Sequence, residues 1–204
     1  MIAWVEGVLR ERMPTRVVVD VRGVGYEVHV PLSTFAALPD EGKTVSLRIY
    51  THAREGSLQL FGFATPEERT AFELLLRASR VGPKLAQTVL SGISPAALLA
   101  AIRSGNAATL RSAPGVGAKM AERILVELRD RADELAAALS DPAHGAPEIA
   151  EAGPAARQQA LSALLNLGYP RAQAERILAD SEEEVGDAAS VEAYVRAALK
   201  RLAR

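Results

Sequence analysis

The sequence contains no cysteine among its 204 residues, which excludes disulfide bonds, thiolate metal sites and a cysteine nucleophile. Aromatic residues make up only 4% of the chain while 49% is hydrophobic, so its cores are expected to consist of Ala, Val, Leu and Ile. No stretch approaches the ~20 apolar residues of a membrane span, and residues 1–6 lack the basic start of a signal peptide. These absences favour a cytoplasmic protein with no membrane partner.

The sequence also lacks the patterns that mark common active sites. No Gly-x4-Gly-Lys-Ser/Thr loop is present, so any ATPase activity must belong to a partner. His29, His52 and His144 are dispersed and pair with no Cys or HExxH helix, which favours ordinary surface or strand residues over metal ligands. We therefore predict no catalytic residue, no metal and no cofactor.

What the sequence does contain is a short device in two copies, Ser79 to Ala86 and Pro114 to Ala121. The copies align on Lys84 and Lys119, 35 residues apart, a spacing typical of a small repeated helical unit. Each predicts helix, tight turn, helix. The predicted helices before the turns are Ala71–Ala78 and Ala107–Ser112, and those after them are Lys84–Leu90 and Lys119–Glu134.

The chemistry of this device favours a phosphate ligand. Gly82 and Gly117 precede the second helix of each copy, where a glycine permits positive φ and close approach to the backbone. The first N–H groups of that helix lack an intrahelical partner, and a lysine adds positive charge there. The alternative is a pair of helical hairpins whose lysines are merely solvated. Arg80 stands where the second copy has Gly115, so it either needs a strained positive φ or adds a phosphate contact.

The device resembles the helix-hairpin-helix motif, which grips nucleic-acid backbone without reading bases. The predicted DNA-binding residues are those of the two turns and helix starts: Arg80, Val81, Gly82, Lys84, Gly115, Val116, Gly117, Lys119 and Arg123. The net charge of −1 alone argues against a nucleic-acid partner. Residues 79–129, however, carry seven basic and two acidic side chains, a balance of +5, whereas residues 136–204 carry seven and ten, a balance of −3. The positive potential is thus confined to the hairpin segment.

Before the hairpins, residues 1–64 predict a small β-barrel. Alternating apolar residues indicate five strands: Ile2–Leu9, Arg16–Val21, Tyr26–Val30, Thr44–Tyr50 and Leu58–Phe63. Arg22-Gly23-Val24-Gly25 supplies a turn, and Ser33 is a candidate cap for a single helical turn, Thr34–Leu38. Five strands with a helix after the third match an OB-fold, the alternative being an SH3-like barrel that lacks the helix.

The remaining chain predicts two helical domains joined by a linker. Residues 65–139 hold about five helices and begin with a capping box, Thr65 as N-cap and Glu68 at N3. Ser94 is predicted to start another helix, which Gly105 ends, and Asn106 to start the next. Residues 140–153 are rich in turn formers and predict a flexible linker. Residues 154–204 predict a three-helix bundle with helices Ala155–Leu167, Arg171–Ala179 and Val191–Leu202. Its Leu167-Gly168-Tyr169 turn resembles that of ubiquitin-associated-like domains, which dock protein partners.

In this order the parts resemble the RuvA family of bacterial Holliday-junction-binding proteins over the whole chain. Characteristic stretches are Gly23 to Val28, Leu60 to Phe63, Val81 to Ala86 and Ala121 to Leu128. The resemblance implies a homotetramer that holds a four-way junction open in recombination, DNA repair and the SOS response to DNA damage. It implies two partners, the hexameric ATPase RuvB, which performs branch migration, and the resolvase RuvC. Whether one tetramer or two, an octamer, binds the DNA stays open.

The resemblance also implies an acidic pin at the junction centre, two neighbouring carboxylates before the last barrel strand. Glu55 matches, with Arg54 adjacent, but Gly56 stands where a second acid is usual. Leu164, Leu167 and Tyr169 are the predicted partner-docking residues of the last domain.

Two other functions stay open from the residues alone. Asp130, Asp133 and Glu134 are spaced to share one helical face, so a hairpin-bearing repair enzyme with Asp130 or Asp133 as catalytic acid is a rival. A monomeric adaptor for linear DNA is another.

Overall fold

The computed structural model describes residues 1–140, 154–166, 169–185 and 190–202. By its internal contacts the chain divides into two compact units, Met1–His144 and Gly145–Arg204. The elements of the first unit are β1 (Trp4–Met13), β2 (Arg16–Val21), β3 (Val24–His29), α1 (Leu32–Ala37), β4 (Thr44–Arg54), β5 (Ser57–Phe63), α2 (Pro66–Leu75), α3 (Pro83–Gly92), α4 (Pro95–Ser104), α5 (Ala107–Arg111), α6 (Ala118–Leu128), a 3-10 turn (Arg129–Arg131) and α7 (Ala132–Ser140). Those of the second are α8 (Pro154–Asn166), α9 (Arg171–Val185) and α10 (Val191–Leu202).

The five strands form a closed barrel in the order β1-β2-β3-β5-β4. Neighbouring strands are antiparallel except β3 and β5, which pair in parallel through Val28 with Leu60 and His29 with Phe61. The helix after the third strand is present as α1, so the predicted OB-type order is confirmed and the SH3-like alternative is wrong. The predicted alternation holds because the inward-facing side chains fill the barrel, among them Leu9, Val17, Val19, Val28, Val45, Leu47 and Ile49.

Two local predictions in the barrel are wrong. The turn after β2 uses only Arg22 and Gly23, both at positive φ, so that Val24 and Gly25 already pair with β2. Ser33 does not cap α1, because the helix begins at Leu32 after Pro31. The Ser33 hydroxyl instead donates to the Glu68 carboxylate of α2, 2.6 Å away.

The helices of the first unit pack around their own apolar core, which continues from the end of the barrel. Phe61 and Phe63 of β5 stack against Phe72 of α2, with ring centroids 5.2 and 4.9 Å apart. The caps predicted for α4 and α5 are confirmed, since Ser94 and Asn106 accept backbone N–H groups of their helices. The barrel and the hairpin helices therefore have separate cores, and Phe61 and Phe63 at the end of β5 belong to the core of the helices.

The helix predicted over Lys119–Glu134 is divided. It ends at Leu128, and a 3-10 turn, Arg129–Arg131, leads into α7. The apolar stripe continues across the break, because Leu128, Ala132 and Leu135 are all buried. The first unit consequently has six α-helices after the barrel where about five were expected.

The second unit is a three-helix bundle, as predicted, although α9 extends six residues beyond its predicted end. Its core is built mainly from small residues with a few large ones: Ala156, Ala160, Leu164, Ala174, Leu178, Tyr194 and Ala198. Leu199 of α10 is 36% exposed. Residues 141–153 of the predicted linker lie outside the described part of the chain, and Ser140 is the last residue of α7.

Among the described residues no single helix has the length and apolar composition to cross a membrane. Helices α3 and α4 meet those criteria only when joined, and they are bent by 98° at their break.

Candidate nucleic-acid interface

The two hairpin turns share their main backbone hydrogen bonds. In the first copy the Val81 N–H donates to the Ala78 carbonyl at 3.1 Å, and in the second the Val116 N–H donates to Ala113 at 3.1 Å. The helix that follows opens in the same way, with Ala86 bonded to Gly82 at 3.0 Å and Ala121 bonded to Gly117 at 2.9 Å. The 35-residue repeat of the sequence is thus a repeat of backbone conformation.

The left-handed residue of each turn is Arg80 in the first copy and Gly115 in the second, with φ of 66° and 85°. Arg80 therefore does adopt the positive φ that the sequence left open, and a side chain there is strained relative to glycine. Gly82 and Gly117 do not use the positive φ that glycine permits, because their φ angles are −92° and −82°. Both glycines are extended N-cap residues.

The helix starts are open to a ligand. A Cβ built on Gly82 or on Gly117 would meet no atom within 4 Å, so the space above each N-cap is free for another group. Lys84 and Lys119, two residues further on, are exposed. Each helix start thus combines unpaired N–H donors, the positive end of a helix dipole and an ammonium group, which together favour an anion.

The other predicted residues of the interface divide by burial. Val81 and Val116 are each only 6% exposed, so their side chains anchor the turns in the core and do not face solvent. Arg80 is exposed, and Arg123, one turn along α6, is half-buried. Within the described residues no ion pair is found to Arg80, Lys84, Lys119 or Arg123.

Two acidic residues of α7 form ion pairs with Arg103 of α4 and with Arg77 in the turn after α2. Asp133 lies 3.2 Å from Arg103, and Glu134 lies 2.7 Å from Arg77. Asp130 falls in the 3-10 turn, so the three acids do not lie on one continuous helix. In the described residues no group of three or more His, Cys, Asp or Glu side chains could hold a metal ion. His144 lies outside them, and His29 and His52 lie beside the Phe61 ring.

Sequence reasoning missed the side chains that fix the hairpins to the barrel. The Glu68 carboxylate is buried and accepts hydrogen bonds from Ser33 and Thr34 of α1, both at 2.6 Å, and from the Ala64 N–H at 3.1 Å. Only half of the predicted capping box forms: Thr65 accepts the Glu68 N–H, but the Glu68 carboxylate binds Ala64 and not Thr65. This carboxylate joins barrel and helices.

A second link to the barrel holds α3, the helix that follows the first hairpin turn. The Gln87 amide donates to the carbonyls of Val30 at 2.8 Å and Thr15 at 3.2 Å. The Leu32 N–H donates to the Ser91 hydroxyl at 3.0 Å. No local pattern in the sequence indicates these contacts, because their partners lie 57 to 72 residues away.

The predicted docking residues of the second unit have different environments. Leu164 is fully buried in the three-helix core, so its side chain is not available to a partner, which corrects that prediction. Tyr169 is partly buried against the same core, and Leu167 lies outside the described residues. In the described part of this unit, Val191, Val195 and Leu199 of α10 line an apolar surface depression together with Glu192 and Arg196.

Comparisons with known proteins cover the whole chain. Family models match residues 1–62 (RuvA N terminal domain), 72–130 (SAM-like Helix-hairpin-helix tandem) and 155–203 (RuvA, C-terminal domain). A protein of Geobacter metallireducens named Holliday junction branch migration complex subunit RuvA is 45% identical over 206 residues and 99% of both chains. The chain belongs to the RuvA family. Proteins of the same name from Acidobacterium capsulatum (47% identity, 98% of both chains) and Syntrophotalea carbinolica (45%, 100% of both) agree.

The acidic pin that the RuvA resemblance implies falls on the β4–β5 hairpin. Glu55 and Gly56 form its two-residue turn, flanked by the paired residues Arg54 and Ser57. Glu55 is exposed at the tip, and Gly56 has a φ of 74°. A second acid at this position would have to occupy the left-handed region, where a residue other than glycine is strained.

Proposed function

We propose that this chain binds four-way DNA junctions without sequence preference, as a homotetramer, and presents them to a motor for branch migration in recombination and DNA repair. The observation that carries the proposal is the pair of matched helix starts, each with an open glycine N-cap and an exposed lysine. Membership of the RuvA family supports it, since the relatives are named as subunits of a Holliday junction branch migration complex.

In this proposal each helix start binds one DNA phosphate. The N–H groups at the starts of α3 and α6 donate to phosphate oxygens, while Lys84 and Lys119 neutralise charge. Arg80 and Arg123 add phosphate contacts, the backbone around Gly82, Gly115 and Gly117 allows close approach, and Val81 and Val116 hold the turns in place. No base-reading element is part of the scheme, so specificity comes from the shape of the junction.

The barrel, residues 1–64, forms the centre of the assembly and the hairpin domain, residues 65–139, its DNA-binding arms. Glu55 lies at the junction centre, where a carboxylate repels phosphates within a screening distance of about 8–10 Å and keeps strands apart. Residues 154–204 dock the ATPase RuvB, tethered by the linker at 140–153, and RuvC joins the same complex. The chain itself performs no bond chemistry and holds no cofactor.

An electrophoretic shift assay at low salt tests this proposal. We expect the protein to shift a four-way junction at a concentration at least about tenfold below that needed for a linear duplex of the same length. Lys119→Ala should weaken junction binding about tenfold, because every protomer of the assembly loses one positive charge beside a phosphate. Lys43→Ala is the matched control, since Lys43 is an exposed lysine of the barrel beside Asp40.

Two further measurements separate the proposal from its rivals. Light scattering on the purified protein should give the mass of four chains or a multiple of it. Incubation of the junction with Mg²⁺ should leave its strands intact, whereas cleavage that Asp133→Asn abolishes would establish the repair enzyme. A monomer with equal affinity for duplex and junction would establish the linear-DNA adaptor instead.

A further inference from the structure

A carboxylate of the second hairpin is bound to the turn of the first. Glu127, in the last turn of α6, accepts a hydrogen bond from the Ser79 N–H at 2.6 Å. Glu127 is one of only two acids in residues 79–129, and both it and Ser79 are exposed. An acid in this segment opposes DNA binding by charge, so its presence calls for a structural reason.

The repeat shows why only the first turn has this contact. Thirty-five residues after Ser79 stands Pro114, which has no N–H to donate. Thirty-five residues before Glu127 stands Gly92, which has no carboxylate. The contact from the first turn to α6 therefore has both a donor and an acceptor, whereas the reciprocal contact, from the second turn to α3, has neither, although the two turns share their main backbone hydrogen bonds.

The residue after Ser79 is the strained one. Arg80 occupies a left-handed conformation that Gly115 adopts freely in the second copy. A hydrogen bond to an ionised acceptor is stronger than a neutral one, so the Glu127 carboxylate is suited to hold this turn against its strain. The first helix start, Gly82 to Lys84, follows directly and takes its position from the turn.

The second turn lies close to the first hairpin in return. A Cβ built on Gly115 would lie 3.3 Å from Cδ1 of Leu85, a residue in the first turn of α3. Each turn thus lies against the other hairpin, Ser79 through a hydrogen bond to α6 and Gly115 by its closeness to Leu85 of α3.

We propose that Glu127 is a positioning residue that couples the two hairpins and holds the first helix start in its phosphate-binding geometry. It touches no phosphate itself. The inference rests on the proposed function, because the geometry it maintains is that of a DNA clamp.

Three substitutions of α6 test the role of Glu127. Glu127→Ala should weaken junction binding about tenfold, a loss of about 1.4 kcal/mol, even though it removes a negative charge. Glu127→Gln retains an oxygen acceptor and should bind within about threefold of the parent protein. Glu122→Ala is the control, because it removes the other acid of residues 79–129 and should bind as well or better. Tighter binding by Glu127→Ala would overturn the proposal.

Double-mutant cycles show at which hairpin the loss of Glu127 acts. Ser79→Pro copies the second turn, so in that background Glu127→Ala should no longer weaken binding. In the same way Lys84→Ala should largely mask the effect of Glu127→Ala, whereas Lys119→Ala should leave it undiminished. A role limited to overall stability would give the same loss in all backgrounds, and that result would refute positioning.

A measurement without DNA distinguishes failure of this inference from failure of the proposed function. Amide hydrogen exchange of the free protein should be faster at Ser79 in Glu127→Ala, and slower again in Glu127→Gln. Unchanged exchange at Ser79 overturns the coupling even if the junction is bound. If exchange responds but the parent protein binds no junction, the coupling stands and the proposed function fails.

Discussion

Arg80 and Gly115 occupy equivalent left-handed positions in the two turns, and only Arg80 is strained there. It holds a φ of 66° where the second copy uses glycine, yet it also places a positive charge beside the first helix start. The left-handed conformation of Arg80 therefore lowers stability, whereas its charge favours phosphate binding. A substitution at this position should change stability and affinity for phosphate in opposite directions.

Arg80→Gly should separate the two effects. Relief of the left-handed strain is expected to raise the free energy of unfolding by about 0.5–1 kcal/mol, while loss of the charge should weaken junction binding about threefold. Chemical denaturation and a binding titration measure these changes.

Gly115→Ala is the matched substitution in the second turn. It should destabilise the protein by about 1–2 kcal/mol, since its φ is 85° and its Cβ would press against Leu85. Arg80→Gly should have the opposite effect, and a loss of stability in that variant would contradict the strain assigned to Arg80.

Asp20 predicts a pH dependence of the barrel. The Arg10 guanidinium, 2.7 Å away, and the Gly23 N–H hold the pKa of the Asp20 carboxyl below its ordinary value. Because the folded pKa lies below the unfolded one, this stabilisation is fully present above the unfolded value, about pH 4, and is lost as pH falls through the lowered folded value. Asp20→Asn should therefore flatten the acid limb of the unfolding curve, measured by thermal unfolding between about pH 2 and pH 5. An unchanged acid limb in this variant would contradict the role of Arg10.

Among the elements, α2 depends on a single buried carboxylate. Glu68→Ala removes the acceptor of Ser33, Thr34 and the Ala64 N–H and leaves those donors without it. We expect a loss of about 2–4 kcal/mol of stability, measured by denaturant unfolding. Glu67→Ala, in the same helical turn but less buried, is the control and should change stability by less than about 0.5 kcal/mol.

The elements were predictable to the extent that their signals are local. Period-two alternation placed the five strands, and Thr65, Ser94 and Asn106 marked helix starts, because a cap is a contact within three residues. The end of α6 was missed because its apolar stripe runs on without a Gly or Pro to mark the break.

The candidate site shows the same division. The turns, their glycines and their lysines followed from spacing alone. The contact of Glu127 with Ser79 and that of Gln87 with Val30 did not, because they join residues 48 and 57 positions apart. The sequence left open whether Arg80 adopts a positive φ, and the structure shows that it does, with a φ of 66°.

For the whole molecule, the proposed assembly predicts a steep salt dependence. Four chains with two helix starts each would neutralise about eight phosphates, so log K should fall with log salt with a slope near −7. Binding isotherms at several salt concentrations measure it. Lys84→Ala should make the slope shallower by up to about 4, and a slope near −2 would contradict four-fold binding.

Sequence independence belongs to the same scale. Unrelated junction sequences should bind with affinities within about tenfold of one another, because phosphate contacts carry no base information. A larger spread would require a base-reading contact.

The closure of the barrel constrains how copies of the chain can meet. Every one of its five strands has a neighbour on both sides, although β3 and β5 pair only through Val28 with Leu60 and His29 with Phe61, so no strand edge is open along its whole length. In the proposed assembly, copies around a branch point would therefore associate mainly through side chains on barrel walls and helix surfaces. Such contacts can dissociate without breaking the backbone hydrogen bonds between strands, so protomers can be exchanged while each barrel stays intact.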